Sequence, residues 1–408
     1  MRIGLITGEY PPMQGGVGDF THKLERTLTE IGHQVHVITG KPQVPGLGVS
    51  DSNVHRVVDG WRWGCWRQVL ALAQELELET LNVQYQAAAY DMHPAINLVG
   101  RSRPQTVGAG RTINVRGRTL NVRNVRPRRR ERPPVVVTFH DLKVPYLFPK
   151  AGPLRWQAVC TLARRADGVI VTNHEDYLRM ERKVSLERLS LIPIGSNIPP
   201  APPSDYDRGA ERARWGVGPD DVLLGYFGFL NESKGGEELM RALAILVGRG
   251  VPAHLLMIGG RVGSSDATNR AYAEKVEGLI AELGMVDRVH WTGYTHPESV
   301  SAGLFATDAC VLPYRDGVSF RRGTLHACLA HGRAVVTTRP AVPLPDVREG
   351  ENMLLVKARD PAGVAEAVMR LVEDPALRTR LEGGATELSS QFAWERIARH
   401  TAAFFGRL

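Results

Sequence analysis

The stretch from Ala306 to Thr338, ATDACVLPYRDGVSFRRGTLHACLAHGRAVVTT, narrows the choice of fold more than any other. An apolar run (Ala309, Cys310, Val311, Leu312) stops at Pro313, and a polar loop then carries Arg315, Asp316, Arg321 and Arg322. A helical pattern opens at Thr324 and closes at Gly332, before Ala334, Val335 and Val336 begin a second apolar run. Strand, polar loop, helix, strand is the unit of an open parallel sheet, where ligands collect beyond the carboxyl ends of the strands and the next helix offers unpaired N–H groups. Two adjacent arginines and Gly323 at such a helix start supply a phosphate site together with its counter-charge.

The same alternation runs through the chain. Ile3 to Thr7 is a short apolar strand, GEYPPMQGGVGDF follows, and the glycines at 15, 16 and 18 lead into a helix with apolar positions Phe20, Leu24, Leu28 and Ile31, which Gly32 ends. A strand from Gln34 to Thr39 completes a βαβ unit with a glycine turn at the end of its first strand, either a plain tight turn or a place where backbone meets a ligand closely. Further strands are expected at Thr80–Tyr85, Val135–Phe139, Gly168–Thr172 and Leu189–Ile194. Each ends on polar groups: Gln84 and Gln86, His140 and Asp141, Asn173 to Asp176, Ser196 and Asn197. Taken on its residues, His140 reads either as a structural histidine paired with Asp141 or as a group that touches substrate.

Residues 198–207 carry four prolines and no apolar periodicity, as a hinge would. A second βα series follows: strand Val222–Gly225, helix Lys234–Val247, strand His254–Ile258, helix Asn269–Leu283, strand Arg288–Trp291, the Ala306–Thr338 stretch, and strand Asn352–Val356. Amphipathic helices follow near Ala362–Val372 and Ala376–Leu388, and Ala393–Phe405, anchored by Trp394, is placed to return to the first domain. In GFLNESKGGEEL, Lys234 precedes two glycines at a helix start, the chemistry of an anion held by an ammonium and backbone N–H groups. The expected domains are 1–197, the hinge 198–207, 208–390, and a returning helix 391–408. A length of 408 residues is ample for two cores.

Charge is concentrated in one place. Residues 101–132 hold eleven arginines against the single acid Glu131, so this segment carries +10 and the rest of the chain sums to −2 within a total of +8. It reads as an insertion: TINVRGRTLNV as a hairpin, RPRRRERPP as too charged and proline-rich for a core. No aromatic residue interleaves the arginines, so base stacking is unsupported and nucleic acid is not expected; the segment reads first as a surface excursion of its own, with an anionic membrane surface or an acidic partner as the alternative. The four cysteines (Cys65, Cys160, Cys310, Cys328) lack metal spacing and read as buried thiols of a reduced compartment. The N-terminus reads as a first core strand in place of a signal peptide, and no run nears the roughly 20 apolar residues of a membrane span. A cytoplasmic chain, peripheral to a membrane if the arginine segment meets one, is the expectation.

In order along the chain, MRIGLITGEYPPMQGGVGDF, GHQVHVIT, VVVTFHD, LIPIGSNIP, FGFLNESKGGEEL, HLLMIGG, VHWTGY and FATDACVLPYRDGVSFRRGTLHACLAHGRAVVTT resemble a retaining glycosyltransferase of family 4 with the GT-B architecture. The likeness spans nearly the whole chain outside the arginine-rich insertion. It implies an α/β fold of two Rossmann-like domains facing across a cleft, the first on the acceptor side and the second binding a nucleotide sugar, with no cofactor and no divalent metal. Carried over by position, Gly15 and Gly16 place backbone N–H groups near the donor phosphates, His140 sits beside the transferred sugar, and Lys234 neutralises the diphosphate. Gly259 and Gly260, with Gly293 and Tyr294, line the base and ribose. Gly228, Ser319, Phe320, Gly323, Thr324 and His326 complete the donor side, and Gln84, Gln86 and Tyr90 are acceptor-side candidates.

The sequence departs from the family at two places. Phe229 stands where an arginine usually follows the glycine at 228, and Val318 and His326 occupy the ends of the family's E-x(7)-E element. Arg321 or Arg322 would restore the missing cation, and Asp316 would orient the sugar with His140. The reaction so implied moves a sugar from a nucleoside diphosphate sugar to an acceptor hydroxyl with retention. The competing readings are a sugar-nucleotide-binding protein that no longer catalyses, a sugar-nucleotide epimerase on the same fold, and an adaptor dominated by its arginine segment.

Overall fold

The computed structural model describes residues 1–13, 15–41, 52–98, 112–115, 118–121, 132–142, 152–261 and 267–408. Most of the arginine-rich insertion lies outside the described residues, including 116–117 of the turn expected at Arg116–Arg118, whose last residue instead opens the second strand of a pair. Its two short strands do pair, antiparallel, as the sequence suggests. The chain divides into one compact unit made of Met1–Ile194 with Trp394–Leu408, and a second made of Gly195–Ala393.

The first unit runs β1 (Arg2–Thr7), α1 (Gly16–Glu30), β2 (Gln34–Gly40), β3 (Val54–Val58), α2 (Cys65–Glu75), β4 (Thr80–Tyr85), the hairpin β5 (Thr112–Val115) and β6 (Arg118–Asn121), β7 (Val135–Phe139), α3 (Gly152–Arg165), β8 (Gly168–Val171), α4 (His174–Met180) and β9 (Leu189–Leu191). Seven parallel strands make its sheet in the order β3-β2-β1-β4-β7-β8-β9. Every residue of β4 and β7 is buried, the pattern of strands covered on both faces. The chain shows β3 and α2 where the sequence reading placed no element. In β3 the buried positions are His55 and Val58 while Val54 and Val57 are half-exposed, so polarity does not mark the core side. The last strand ends at Leu191, short of the expected Ile194, because Pro193 has no N–H to give a ladder.

The second unit runs α5 (Arg208–Arg214), β10 (Val222–Phe227), α6 (Gly236–Gly248), β11 (Ala253–Ile258), α7 (Ala267–Glu282), β12 (Val289–Gly293), α8 (Pro297–Ala306), β13 (Ala309–Leu312), α9 (Gly323–Ala330), β14 (Val335–Thr338), β15 (Leu354–Val356), α10 (Pro361–Glu373) and α11 (Pro375–Ser389). Its six parallel strands lie in the order β12-β11-β10-β13-β14-β15. Strand order therefore reverses between β10 and β13, the switch point where open α/β sheets bind ligands. Helix α6 starts two residues later than the sequence suggests, because Gly235 is left-handed at φ 72° and leaves Lys234 in a short 3-10 turn.

The last helix, α12 (Trp394–Phe405), belongs to the first unit. Its Ile397, Ala398, Ala402, Phe404 and Phe405 share one apolar cluster with Phe20, Leu24 and Leu28 of α1, and the Trp394 and Phe20 rings lie 5.1 Å apart. Gly168 opens β8 where this segment passes too close for a side chain, since a Cβ there would lie 2.8 Å from Phe404 and Leu408. Among the described residues no helix is long and apolar enough to cross a membrane, and all four cysteines are free and buried.

Candidate active site

In the second unit the loops leaving β10 and β13 are bound to each other at the switch point. Arg315 N–H donates to Ser233 C=O at 2.8 Å, and the Arg315 guanidinium reaches Glu238 at 2.9 Å, Glu237 at 2.8 Å and Glu232 at 3.2 Å. Arg315 is thereby committed to three carboxylates around the start of α6 and is a clamp, not a free cation. A side chain at Gly235 would collide with the Pro313 carbonyl, so only glycine permits this approach. Gly228 (φ 117°) lies equally close to its neighbours: a Cβ there would sit 2.6 Å from Thr324 Cγ2 and 3.2 Å from Lys234 Nζ.

This packing places Lys234 among Gly228, Thr324 and Arg322. Burial, reinforced by the charge of Arg322, pushes the lysine down to about 8. A partly buried ammonium beside a guanidinium lacks what it most needs, an anion. No side chain caps α9, so its first N–H groups point the same preference outward. The arginines are better satisfied. Asp316 Oδ2 accepts from Arg321 at 3.0 Å, Asp316 Oδ1 accepts from Arg322, and the Arg322 guanidinium lies 4.1 Å from the centre of the Tyr314 ring. Tyr314 is fully buried, its hydroxyl 2.8 Å from Thr324 Oγ1, so stacking and ion pair together fix Arg322.

The remaining donor-side candidates divide. Gly259 (φ 105°) and Gly293 (φ 69°) form an isolated bridge between the ends of β11 and β12, Gly259 N–H donates to Thr292 Oγ1 at 2.9 Å, and Gly260 follows half-exposed. Tyr294 is 70% exposed just beyond them. Ser319, Gly323 and Thr324 keep part of their surface open. Phe320 and His326 do not present themselves to a ligand: both are buried, Phe320 packs 4.8 Å from Phe392, and His326 Nε2 is held 2.7 Å from the Phe320 carbonyl. Burial pushes His326 down to about 4. Where the sequence resemblance implies a carboxylate, position 326 holds a core imidazole that burial keeps neutral.

In the first unit His140 follows β7, its Nε2 2.8 Å from Gln84 Oε1. The partner expected from the sequence, Asp141, is not the one found. Burial alone pushes the imidazole down to about 3, so it is neutral across ordinary working pH. Gln84 is fully buried and engaged with His140 and Asn82, and it has no surface for an acceptor. Tyr90 is likewise a core residue, its one hydroxyl hydrogen shared between the carbonyls of Ile6 and Gln84, each 3.0 Å away. Gln86 caps the turn Ala87–Tyr90, accepting from Ala89 N–H at 3.1 Å. At the α1 N-terminus, expected to offer N–H groups from Gly15 and Gly16 to phosphate, the Glu9 carboxylate already accepts from Val17 at 3.0 Å and Gly18 at 3.2 Å, and it crowds the Cα of Gly15.

Residues 15–195 match the model of a Glycosyl transferase 4-like domain, and residues 221–374 match the model Glycosyl transferases group 1. The whole chain aligns with sucrose-phosphate synthase from Thermosynechococcus elongatus at a TM-score of 0.72 and 21% identity, covering 100% of this chain and 98% of that one. The fold is GT-B. Anabaena HepE, solved in complex with UDP and glucose, shares that GT-B fold at a TM-score of 0.71 and 17% identity, with 100% of each chain covered. In sequence, a D-inositol 3-phosphate glycosyltransferase of Streptomyces avermitilis is 28% identical over 241 residues, 58% of this chain and 51% of that protein. The chain thus spans about half the length of the curated relatives it matches.

Several residues that shape this GT-B chain's site carry no obvious sequence signal. Glu9, Asn82 and Asp176 act through partners 8, 56 and 34 positions away. Asp176 is buried, accepts from Leu142 N–H at 3.3 Å, and so braces the segment that follows His140; burial pushes it up to about 6. The N-x-x-D spacing of Asn173 and Asp176 in NHEDY was the available hint, a helix cap in which Asn173 Oδ1 accepts from Asp176 N–H at 2.9 Å.

Proposed function

We propose that this chain transfers a sugar from a nucleoside diphosphate sugar to an acceptor hydroxyl with retention of anomeric configuration. The observation that carries the proposal is Lys234, an enclosed ammonium beside Arg322 and an uncapped helix start at the switch point of a GT-B domain. As the bond between the anomeric carbon and the diphosphate oxygen breaks, negative charge grows on the leaving group. Lys234 and Arg322 meet that charge from fixed positions, which lowers the barrier because nothing must reorganise at that moment. The acceptor oxygen then bonds the anomeric carbon, and its proton passes to the departing phosphate. The neutral His140 orients the sugar. With cations and main-chain amides in these roles, turnover needs no divalent ion, and saturating chelator leaves the rate unchanged.

The similarity to HepE, solved with UDP and glucose, makes UDP and UDP-glucose the first ligands to try, with GDP and ADP donors beside them. The curated relatives' name puts inositol phosphates among the acceptors to be screened. The test is nucleoside diphosphate release in the presence of acceptor, together with product stereochemistry by NMR. Donor binding without turnover on any acceptor would leave the second reading, a binding protein that no longer catalyses. One observation favours that second reading: Asp316 neutralises both arginines that were to replace the missing one at Phe229.

A further inference from the structure

We infer that Asn82 and Gln84 are positioning residues for His140, a buried amide relay that fixes the imidazole as its Nε2–H tautomer and leaves Nδ1 as an acceptor for a hydroxyl of the transferred sugar. The inference rests on the function proposed above for its substrate, but the relay itself is legible in the geometry.

Strand β4 is covered on both faces, where an apolar run is expected, yet TLNVQY sets Asn82 and Gln84 two positions apart with neither exposed. Two buried amides are costly unless each polar atom is met. The Thr138 hydroxyl, also 3.3 Å from Asn82 Oδ1, can serve the amide either way, so a carbonyl sets the direction. Asn82 Nδ2 lies 2.9 Å from Thr138 Oγ1 and 3.4 Å from the Val136 carbonyl, and a carbonyl accepts and never donates. The Asn82 amide nitrogen is therefore committed there, and its Oδ1 faces Gln84 Nε2. That turns Gln84 Oε1 toward His140, 2.8 Å from Nε2. An amide oxygen is an acceptor, so Nε2 carries the hydrogen.

The ring is held on its other sides as well. His140 N–H donates to the Tyr85 carbonyl at 3.1 Å, the Phe20 ring stands edge-on at 4.7 Å, and Phe20 is itself backed by Trp394. Nδ1 makes no hydrogen bond among the described residues. Asp141 next in the chain, Asp176 behind Leu142 and Asp19 beside Phe20 on α1 are carboxylates of the neighbouring segments; among the described residues none bonds the ring, and burial alone sets its protonation. A bare Nδ1 lone pair is unsuited to a phosphate oxygen, which also only accepts, and suited to a sugar hydroxyl, which donates. The relay thus decides which end of the donor the histidine addresses.

The experiment is 15N NMR of histidine-labelled full-length protein, with the His140 signals assigned by their loss in His140→Asn. Wild type shows protonated Nε2 and unprotonated Nδ1 from pH 5 to 8. In Gln84→Glu, close in size, a carboxylate beside the ring raises its pKa, so Nδ1 is protonated at the acid end and transfer falls there in step with the spectrum, while wild type stays flat. Gln84→Leu releases the tautomer and lowers kcat at least about tenfold, while UDP, taken alone as probe, binds within about twofold of wild type. A wild-type ring protonated on Nδ1, or a Gln84→Glu ring that titrates like wild type, overturns the relay. An Nε2–H ring in a chain that transfers no sugar leaves the relay standing and removes the proposed function instead.

Discussion

Glu9 caps the helix that an anion was expected to occupy: its Oε1 accepts from Val17 N–H at 3.0 Å, and from Gly18 at 3.2 Å, so the α1 N-terminus carries its own negative charge. The carboxylate arrives from the loop after β1, seven residues before the helix starts at Gly16. A side chain that satisfies two orphan N–H groups and faces the positive end of the helix dipole stabilises by roughly 0.5–2 kcal/mol. Glu9→Ala is expected to lose that amount in urea unfolding, with Glu9→Gln losing less because one acceptor remains. Equal stability in all three proteins would show that the cap contributes nothing.

Gly228 is expected to tolerate no side chain. Its φ of 117° is closed to L residues, and the added Cβ would lie 2.6 Å from Thr324 Cγ2, at the start of α9. Gly228→Ala should therefore lose about 1–3 kcal/mol of stability and weaken donor binding, because relief of the contact moves either Thr324 or the neighbouring Lys234. Gly250→Ala, with a positive φ but open space around its Cβ, is the control for backbone strain alone. If the two variants bind nucleoside diphosphate alike, Gly228 has no special part in the site.

Tyr90→Phe separates core from acceptor contact. The hydroxyl shares its one hydrogen between two buried backbone carbonyls, and its removal should cost about 1 kcal/mol. The acceptor KM should not change, since no part of Tyr90 is exposed. A raised KM with unchanged stability would restore the acceptor-side role.

Both parallel sheets were legible in the sequence because their strands are continuous apolar runs punctuated by glycine and proline: β4 and β7 fall on the residues expected, and β10 runs only two residues longer. The place of Lys234 just before α6 was legible as well, since it is the one basic residue before the paired glycines of that loop. What the sequence withheld was the partner of each charged group. Arg315, Arg321 and Arg322 look alike on the page, but the first is spent on Glu232, Glu237 and Glu238 and the others share Asp316. The resemblance put His326 and Phe320 on the donor side, while α9 carries His326 into the core and Phe320 is buried against Phe392. Pairings of this kind depend on which loops meet, and periodicity carries no record of that.

Asp316→Asn tests the competition between this carboxylate and a ligand for the same guanidiniums. Removing the charge costs stability, about 1–2 kcal/mol after allowance for the near third of the carboxylate that stays exposed. The same change removes the carboxylate that pairs Arg322, so pyrophosphate should bind tighter, by about tenfold or about 1.4 kcal/mol. Calorimetric titration decides it: weaker pyrophosphate binding in the variant means that Asp316 holds the arginines in place for the ligand and does not compete with it.

Lys234 predicts a pH dependence whose sign can be worked out. Its folded pKa, pushed down to about 8 by burial and by Arg322, lies below the ordinary lysine value, so the unfolded chain holds more protons from about pH 8 upward. Stability of the free protein therefore carries the full penalty of the buried ammonium below pH 8 and recovers as pH rises toward the ordinary lysine range. Binding runs the other way. A diphosphate favours the charged form, so above pH 8 each bound molecule must draw in a proton and affinity falls by up to about tenfold per pH unit. Lys234→Met should be more stable than wild type at pH 7, bind nucleoside diphosphate at least about tenfold more weakly there, and show no such slope between pH 7.5 and 9.5. A wild-type affinity that stays level across that range would mean the ammonium does not touch the diphosphate, and the cation assignment on which the proposed transfer rests would have to move to Arg322 alone.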